Sequence, residues 1–169
     1  DNVVAMVSQF QNGNRAWVVY VAPTQIIFSY STSRSNFINV TSTSLTNNLN
    51  EWMHISVTRD GNDIRVFKNG TLVASFSTAN VIANSTQVVQ VNSATNYGEG
   101  EIYVSNLRIV KGTAVYTSAF TPPTDPLTAI SGTSLLTCQS NRFVDNSSNA
   151  HSITVSGTPK VVPFSPFPQ

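Results

Sequence analysis

"EWMHISVTRDGNDIRVFKNGTLVASF", residues 51–76, holds three short β-type runs separated by two turn signals. Asn69-Gly70 is the stronger signal, because both central residues of a two-residue hairpin turn must adopt positive φ and Asn and Gly tolerate it. Pairing across that turn sets Val66 against Val73 and Phe67 against Leu72. The first turn falls at Asp60 to Asp63. A loop of two or four residues there keeps Val57 and Val66 on the same side, since side chains alternate along a strand. Ile55, Val57, Ile64 and Val66 then form one apolar face. Phe67, Leu72, Ala74 and Phe76 line the other, so neither face of this meander is cleanly polar. One face is expected to be core and the other a surface partly covered by a loop or a partner.

The same texture extends outward. "NVVAMVSQF", "RAWVVYV", "QIIFSYS", "NFINVTS", "QVVQVN", "EIYVSNLRIV" and "HSITVSG" are rich in β-branched and aromatic residues and alternate with turn clusters, which reads as a sandwich or barrel. No stretch carries a helical period long enough to supply crossover helices, so a parallel α/β sheet is excluded. Beyond residue 111, "TSAFTPPTDPLTAISGTSLL" is dense in proline. Proline has no ladder donor, so 117–133 is expected to be an extended wrap and 159–169, ending "VVPFSPFPQ", a second strap with Phe164 and Phe167 able to dock. The 169 residues are expected to form a single domain.

Bulk properties narrow the partners. Nine basic and eight acidic residues, scattered singly, leave a formal net charge of +1, so there is no basic stripe for a phosphate backbone and nucleic acid is not an expected partner. Apolar runs such as "AWVVYVA" at 16–22 are far shorter than the roughly 20 residues of a membrane helix, so no membrane insertion is expected. Cys138 is the only cysteine, which excludes an internal disulfide and a cysteine-rich metal site; its strand-like context reads as a buried thiol. The sequons at Asn39, Asn69, Asn84 and Asn146 carry little weight in a chain this rich in Asn, Ser and Thr. The opening "DNVVAM" has neither an initiator Met nor a signal-peptide pattern, and reads as part of a longer polypeptide.

Few residues suggest chemistry. Glycoside hydrolysis uses two carboxylates flanking a sugar cleft, and the close acidic pairs are Asp60 with Asp63 and Glu99 with Glu101. The glycines at 98 and 100 mark the second pair as part of a turn. His54 and His151 belong to no metal-ligand spacing and read as structural. No nucleophile elbow is present. "RDGND" and "NSATNYGEGE" contain the hard oxygens that calcium accepts, but neither has the spacing of a calcium loop, so no cofactor is assigned. Sugar sites combine an aromatic platform with planar polar groups. The loop at 92–101 offers Asn96, Tyr97 and Glu99 together, and with the apolar surface of Phe67 and Phe76 these are the candidate ligand-binding residues. Trp17 and Trp52 read as core or rim packing.

Three stretches in order carry a family resemblance. "WMHISVTRDGNDIRVFKNG" at 52–70 resembles the W-x-H hairpin of laminin G-like, concanavalin A-like lectin/glucanase domains. "GEIYVSNLRIVKGTAVYTSAFTPPTDPL" at 100–127 and "SLLTCQSNRFVDNSSNAHSITVSGTPKVVPFSPF" at 134–167 are similar to the closing segments of versions found in phage and other virus structural proteins. The resemblance implies an all-β, two-sheet antiparallel jelly-roll sandwich, here apparently lacking its first one or two strands, which a preceding segment or a neighbouring chain would supply. The E-x-D-x-(x)-E motif of the family's hydrolases is absent. The resemblance therefore implies a non-catalytic structural or adhesion module of a virus particle, such as a tail or capsid fibre or a decoration protein. Its partners would be other virion proteins, copies of itself or host surface polysaccharide. A secreted or cell-surface lectin is the alternative, and a degenerate glycoside hydrolase the second alternative.

Overall fold

Paired antiparallel strands account for all the regular structure in the computed structural model, which describes residues 3–42, 44–47, 50–93 and 101–167 and contains no helix among them. The chain divides into two compact units, residues 1–102 with 116–120, and residues 103–115 with 121–169.

The first unit is a sandwich. One sheet contains β1 (Val4–Gln11), β2 (Asn14–Ala22), β3 (Gln25–Tyr30), β4 (Ile38–Thr41) and the short β8 (Gln90–Val91), in the order β4-β3-β2-β1-β8. The other is the meander β5 (Ile55–Asp60), β6 (Asp63–Lys68) and β7 (Thr71–Ser77). In the five-stranded sheet, Val19 pairs with Phe28 and Phe28 with Val40, while Trp17 pairs with Tyr30. These residues therefore share a face. Val19, Ile26, Phe28, Tyr30 and Val40 meet Ile64 and Val66 from the meander in one buried cluster. Each such side chain removed from water contributes about 1.5–3 kcal/mol, so this seam supplies most of the drive for the unit. The opposite face of the five-stranded sheet buries a second cluster of Ala5, Phe10, Val18 and Tyr20, and Arg15 lies over the rings of Phe10 and Phe37 at 5.4 and 5.2 Å.

The hairpin turns follow the sequence. Asp60 pairs with Asp63, leaving a two-residue loop, and Gly61 has φ of 57°. Val57 consequently faces Val66, and Ile55, Val57, Ile64 and Val66 all belong to the inner seam. At the second turn Asn69 and Gly70 adopt φ of 49° and 79°, the left-handed pair that a two-residue hairpin turn requires.

The expected register across that second turn is corrected. Phe67 pairs with Leu72, but Val66 pairs with Ala74, so Val73 is an extra residue in a β-bulge. A bulge sets two residues against one and shifts the parity of all that follows. Ala74 and Phe76 are therefore on the Val66 face rather than beside Phe67, and both Val73 and Ala74 pack against the inner cluster. The four-residue outer face of Phe67, Leu72, Ala74 and Phe76 does not form.

In the second unit β9 (Leu107–Val110) pairs antiparallel with β10 (Thr133–Thr137). Residues 144–147 run beside β10: Asn146 N–H donates to Leu136 O at 2.6 Å, and the Thr137 hydroxyl to Val144 O at 2.7 Å. "HSITVSG", expected as a strand, is in no ladder, and its valine and neighbouring residues are largely exposed. A β-type sequence becomes a strand only where another backbone lies alongside it.

Candidate functional site

Two of the five expected binding residues, Phe67 and Phe76, can be placed in the structure. Asn96, Tyr97 and Glu99 lie outside the described residues. Phe67 and Phe76 point to opposite faces of the meander, as the bulge at Val73 dictates. Phe67 is fully buried, and a ring with no exposed surface cannot act as a platform for a ligand in this conformation. Phe76 remains exposed on β7, as does Leu72. β7 is one of the two outer strands of its sheet.

What covers Phe67 is the segment 116–120. Phe120 packs on Phe67 with ring centroids 5.4 Å apart and stacks on Tyr116 at 3.5 Å with the planes 4° apart. Its N–H donates to Gly70 O at 3.0 Å, and the Thr58 hydroxyl donates to Tyr116 O at 2.8 Å. His54 is part of this assembly. Its ring meets Phe120 edge-on at 5.4 Å and Tyr116 at 6.1 Å, while its backbone exchanges two 2.8 Å hydrogen bonds with Asn69. The outer face of the hairpin is thus capped by aromatic packing. Trp17 packs against the core, whereas Trp52 precedes β5 outside any strand and is exposed.

One acidic residue of the hairpin is engaged in structure. Asp63 accepts from Arg65 at 2.8 Å. Arg59 donates to Gly61 O at 3.0 Å and to Thr78 O at 3.2 Å, so guanidinium groups occupy oxygens of the "RDGND" turn.

A different carboxylate organises the second unit. Asp145 accepts from the backbone N–H groups of Leu136 at 3.0 Å, Ser147 at 2.9 Å and His151 at 3.0 Å, and from the Ser147 hydroxyl at 2.9 Å. Desolvation raises its pKa, but these four donors outweigh that effect and hold it at about 2, below the ordinary 3.8. The sign follows from linkage. A depressed folded pKa contributes stability that is complete above the unfolded value and is lost as pH falls from about 4 through about 2. Asp145→Ala is expected to cost about 2 kcal/mol at neutral pH, by leaving three backbone donors without their acceptor. Urea unfolding should show the gap between mutant and wild type closing between pH 4 and pH 2. A gap independent of pH would mean that the carboxylate charge is not what stabilises the knot. Nearby, Cys138 is half-buried with φ of 59°, and desolvation raises its thiol pKa against a weaker lowering by the Thr137 hydroxyl.

One exposed feature of the second unit was not singled out from the sequence as a site. Tyr103 and Phe164, 58% and 62% exposed, meet edge to face with centroids 5.3 Å apart and planes at 80°. Phe164 appeared in the sequence only as a strap residue, and Tyr103 only inside a β-type run. The signal that marks them, large rings at exposed positions, depends on a contact across 61 residues of chain that no local pattern reports.

Comparison with curated proteins gives no match, and comparison with solved structures gives none. A family model described as the concanavalin A-like lectin/glucanases superfamily matches residues 1–124. That span takes in both sheets of the first unit and β9, and the all-β antiparallel architecture agrees with a jelly-roll sandwich of this kind. Membership in a superfamily of lectins and glucanases suggests carbohydrate binding in general. On the extent of that match, the chain belongs to the concanavalin A-like lectin/glucanases superfamily, as a laminin G-like domain.

Proposed function

We propose that this domain is a non-catalytic carbohydrate-binding adhesion module carried on a virus particle, where it holds host surface polysaccharide and contacts neighbouring virion proteins or further copies of itself. The observation that supports the non-catalytic part is the sequence itself, which lacks the E-x-D-x-(x)-E motif of the family's hydrolases, since glycoside hydrolysis needs two carboxyl groups set across one sugar cleft. Of the carboxylates in the described residues, Asp63 is paired with Arg65 and Asp145 accepts from four donors, so these two serve structure. In this reading the chain needs no cofactor. Family membership supports a carbohydrate ligand. The closing segments at 100–127 and 134–167, similar to those of virus structural proteins, support the particle.

The purified domain is expected to retain at least one bacterial or cell-surface polysaccharide on a glycan array and to release no reducing sugar from it on prolonged incubation. Release of sugar would overturn the non-catalytic reading, and an array without any bound polysaccharide would overturn carbohydrate binding. Mass spectrometry of purified virions from the source material is expected to detect the chain, and its absence from the particles would remove the virion assignment.

A further inference from the structure

Resting on the carbohydrate-binding reading, we infer that Tyr103 and Phe164 form the stacking platform for a pyranose ring of the bound polysaccharide. Both rings are more than half exposed, yet they are in contact with each other. Aromatic rings are the largest apolar surfaces a chain possesses, and an isolated pair left in water forgoes the burial that would otherwise stabilise the fold.

The geometry suits a sugar. With planes at 80° the rings meet edge to face, and both residues are more than half exposed, which leaves ring surface open to solvent. An aromatic face is electron-rich and its edge electron-poor. A pyranose whose hydroxyls are mostly equatorial presents a disc of C–H hydrogens on its face and oxygens around its rim. The C–H disc seats on an exposed ring face, and a rim oxygen meets an edge of the neighbouring ring or the phenol of Tyr103.

The platform is also stiff. Phe164 lies in "VVPFSPFP", with Pro163 before it and Pro166 two residues later, and proline fixes the local φ. The Ser165 hydroxyl accepts from Phe167 N–H at 3.1 Å, closing a small turn just after the ring. Restricting the backbone in this way reduces the ordering cost of binding. Two rings expose far less than the roughly 800 Å² per side of a stable protein interface, so the pair is scaled to one or two sugar residues.

The test uses the full chain and the polysaccharide identified on the array, with affinity measured by titration calorimetry. Tyr103→Ala and Phe164→Ala are each expected to weaken binding roughly tenfold, the loss of one stacked ring, with the unfolding midpoint kept because both side chains are mainly exposed. Tyr103→Trp and Phe164→Tyr, which keep a ring, are expected to bind within about twofold of wild type. If the wild type binds and the alanine variants bind equally well, the platform is wrong and the carbohydrate reading stands. If the wild type binds a protein partner through these rings and no polysaccharide, both are wrong.

Discussion

Phe67→Ala is expected to destabilise the first unit by about 3–5 kcal/mol, the usual range for deleting a buried phenylalanine ring, while Phe76→Ala on the neighbouring strand costs less than about 1 kcal/mol. Phe67 is fully buried and Phe76 is 43% exposed. The loss at Phe67 has two parts. The ring's own transfer from water is forfeited, and Phe120 is left without its partner at 5.4 Å, so residues 116–120 rest on a cavity. Urea unfolding followed by tryptophan fluorescence reports on this unit, since Trp17 and Trp52 both belong to it. Hydrogen exchange at the Phe120 amide, bonded to Gly70 O, should accelerate in Phe67→Ala and stay slow in Phe76→Ala. Equal costs for the two substitutions would mean that the rings share an environment, as an unbulged β7 would have placed them.

That comparison also marks where local sequence information stops. The face shared by Ile55, Val57, Ile64 and Val66 was legible, because strand alternation and a two-residue loop at Asp60 leave no other consistent register. The Asn69-Gly70 turn was legible for an equally local reason, the need for positive φ at both positions. The bulge was not. Val73 and Ala74 both pack against the core cluster, most of whose members lie on β2, β3 and β4, distant in sequence. One inserted residue then exchanged the faces of Ala74 and Phe76. The strand expected at "HSITVSG" failed for a related reason: β propensity describes a fit to a pleated surface, and no described strand lies alongside it.

The proposed stacking platform was less legible than the fold. A search for polar residues beside an aromatic in one loop leads to Asn96, Tyr97 and Glu99, since only neighbours in sequence can be seen together. Tyr103 and Phe164 are brought together by the path of the chain, and the exposure that distinguishes them from core aromatics is a property of the folded molecule. Asp145 is similar. Its sequence context, "VDNSSN", signals a turn, but the weight it bears comes from Leu136 on β10 and from His151, beyond the turn itself.

Gly132→Ala is expected to cost the second unit about 4 kcal/mol, near the upper end for a single substitution. Gly132 has φ of 79°, a conformation that costs an L-residue about 1–2 kcal/mol. The larger part is steric. A Cβ at this position would overlap the carbonyl oxygen of Lys111, with Lys111 C at 3.4 Å and Val110 Cγ1 at 3.5 Å behind it. The obstacle is backbone, and Lys111 N–H is itself bonded to Gly132 O at 2.9 Å, so neither strand end can retreat without breaking the closure of the β9–β10 pair. Gly157 provides the control. It has a comparable φ of 73° but nothing within 4 Å of a built Cβ, so Gly157→Ala should lose only the conformational part, about 1–2 kcal/mol. The second unit contains no tryptophan, so hydrogen exchange at Leu107–Val110 and Thr133–Thr137 is the appropriate readout. Protection there should collapse in Gly132→Ala and persist in Gly157→Ala. Equal protection in the two variants would show that the close approach of Gly132 to Lys111 does not hold the strand pair together.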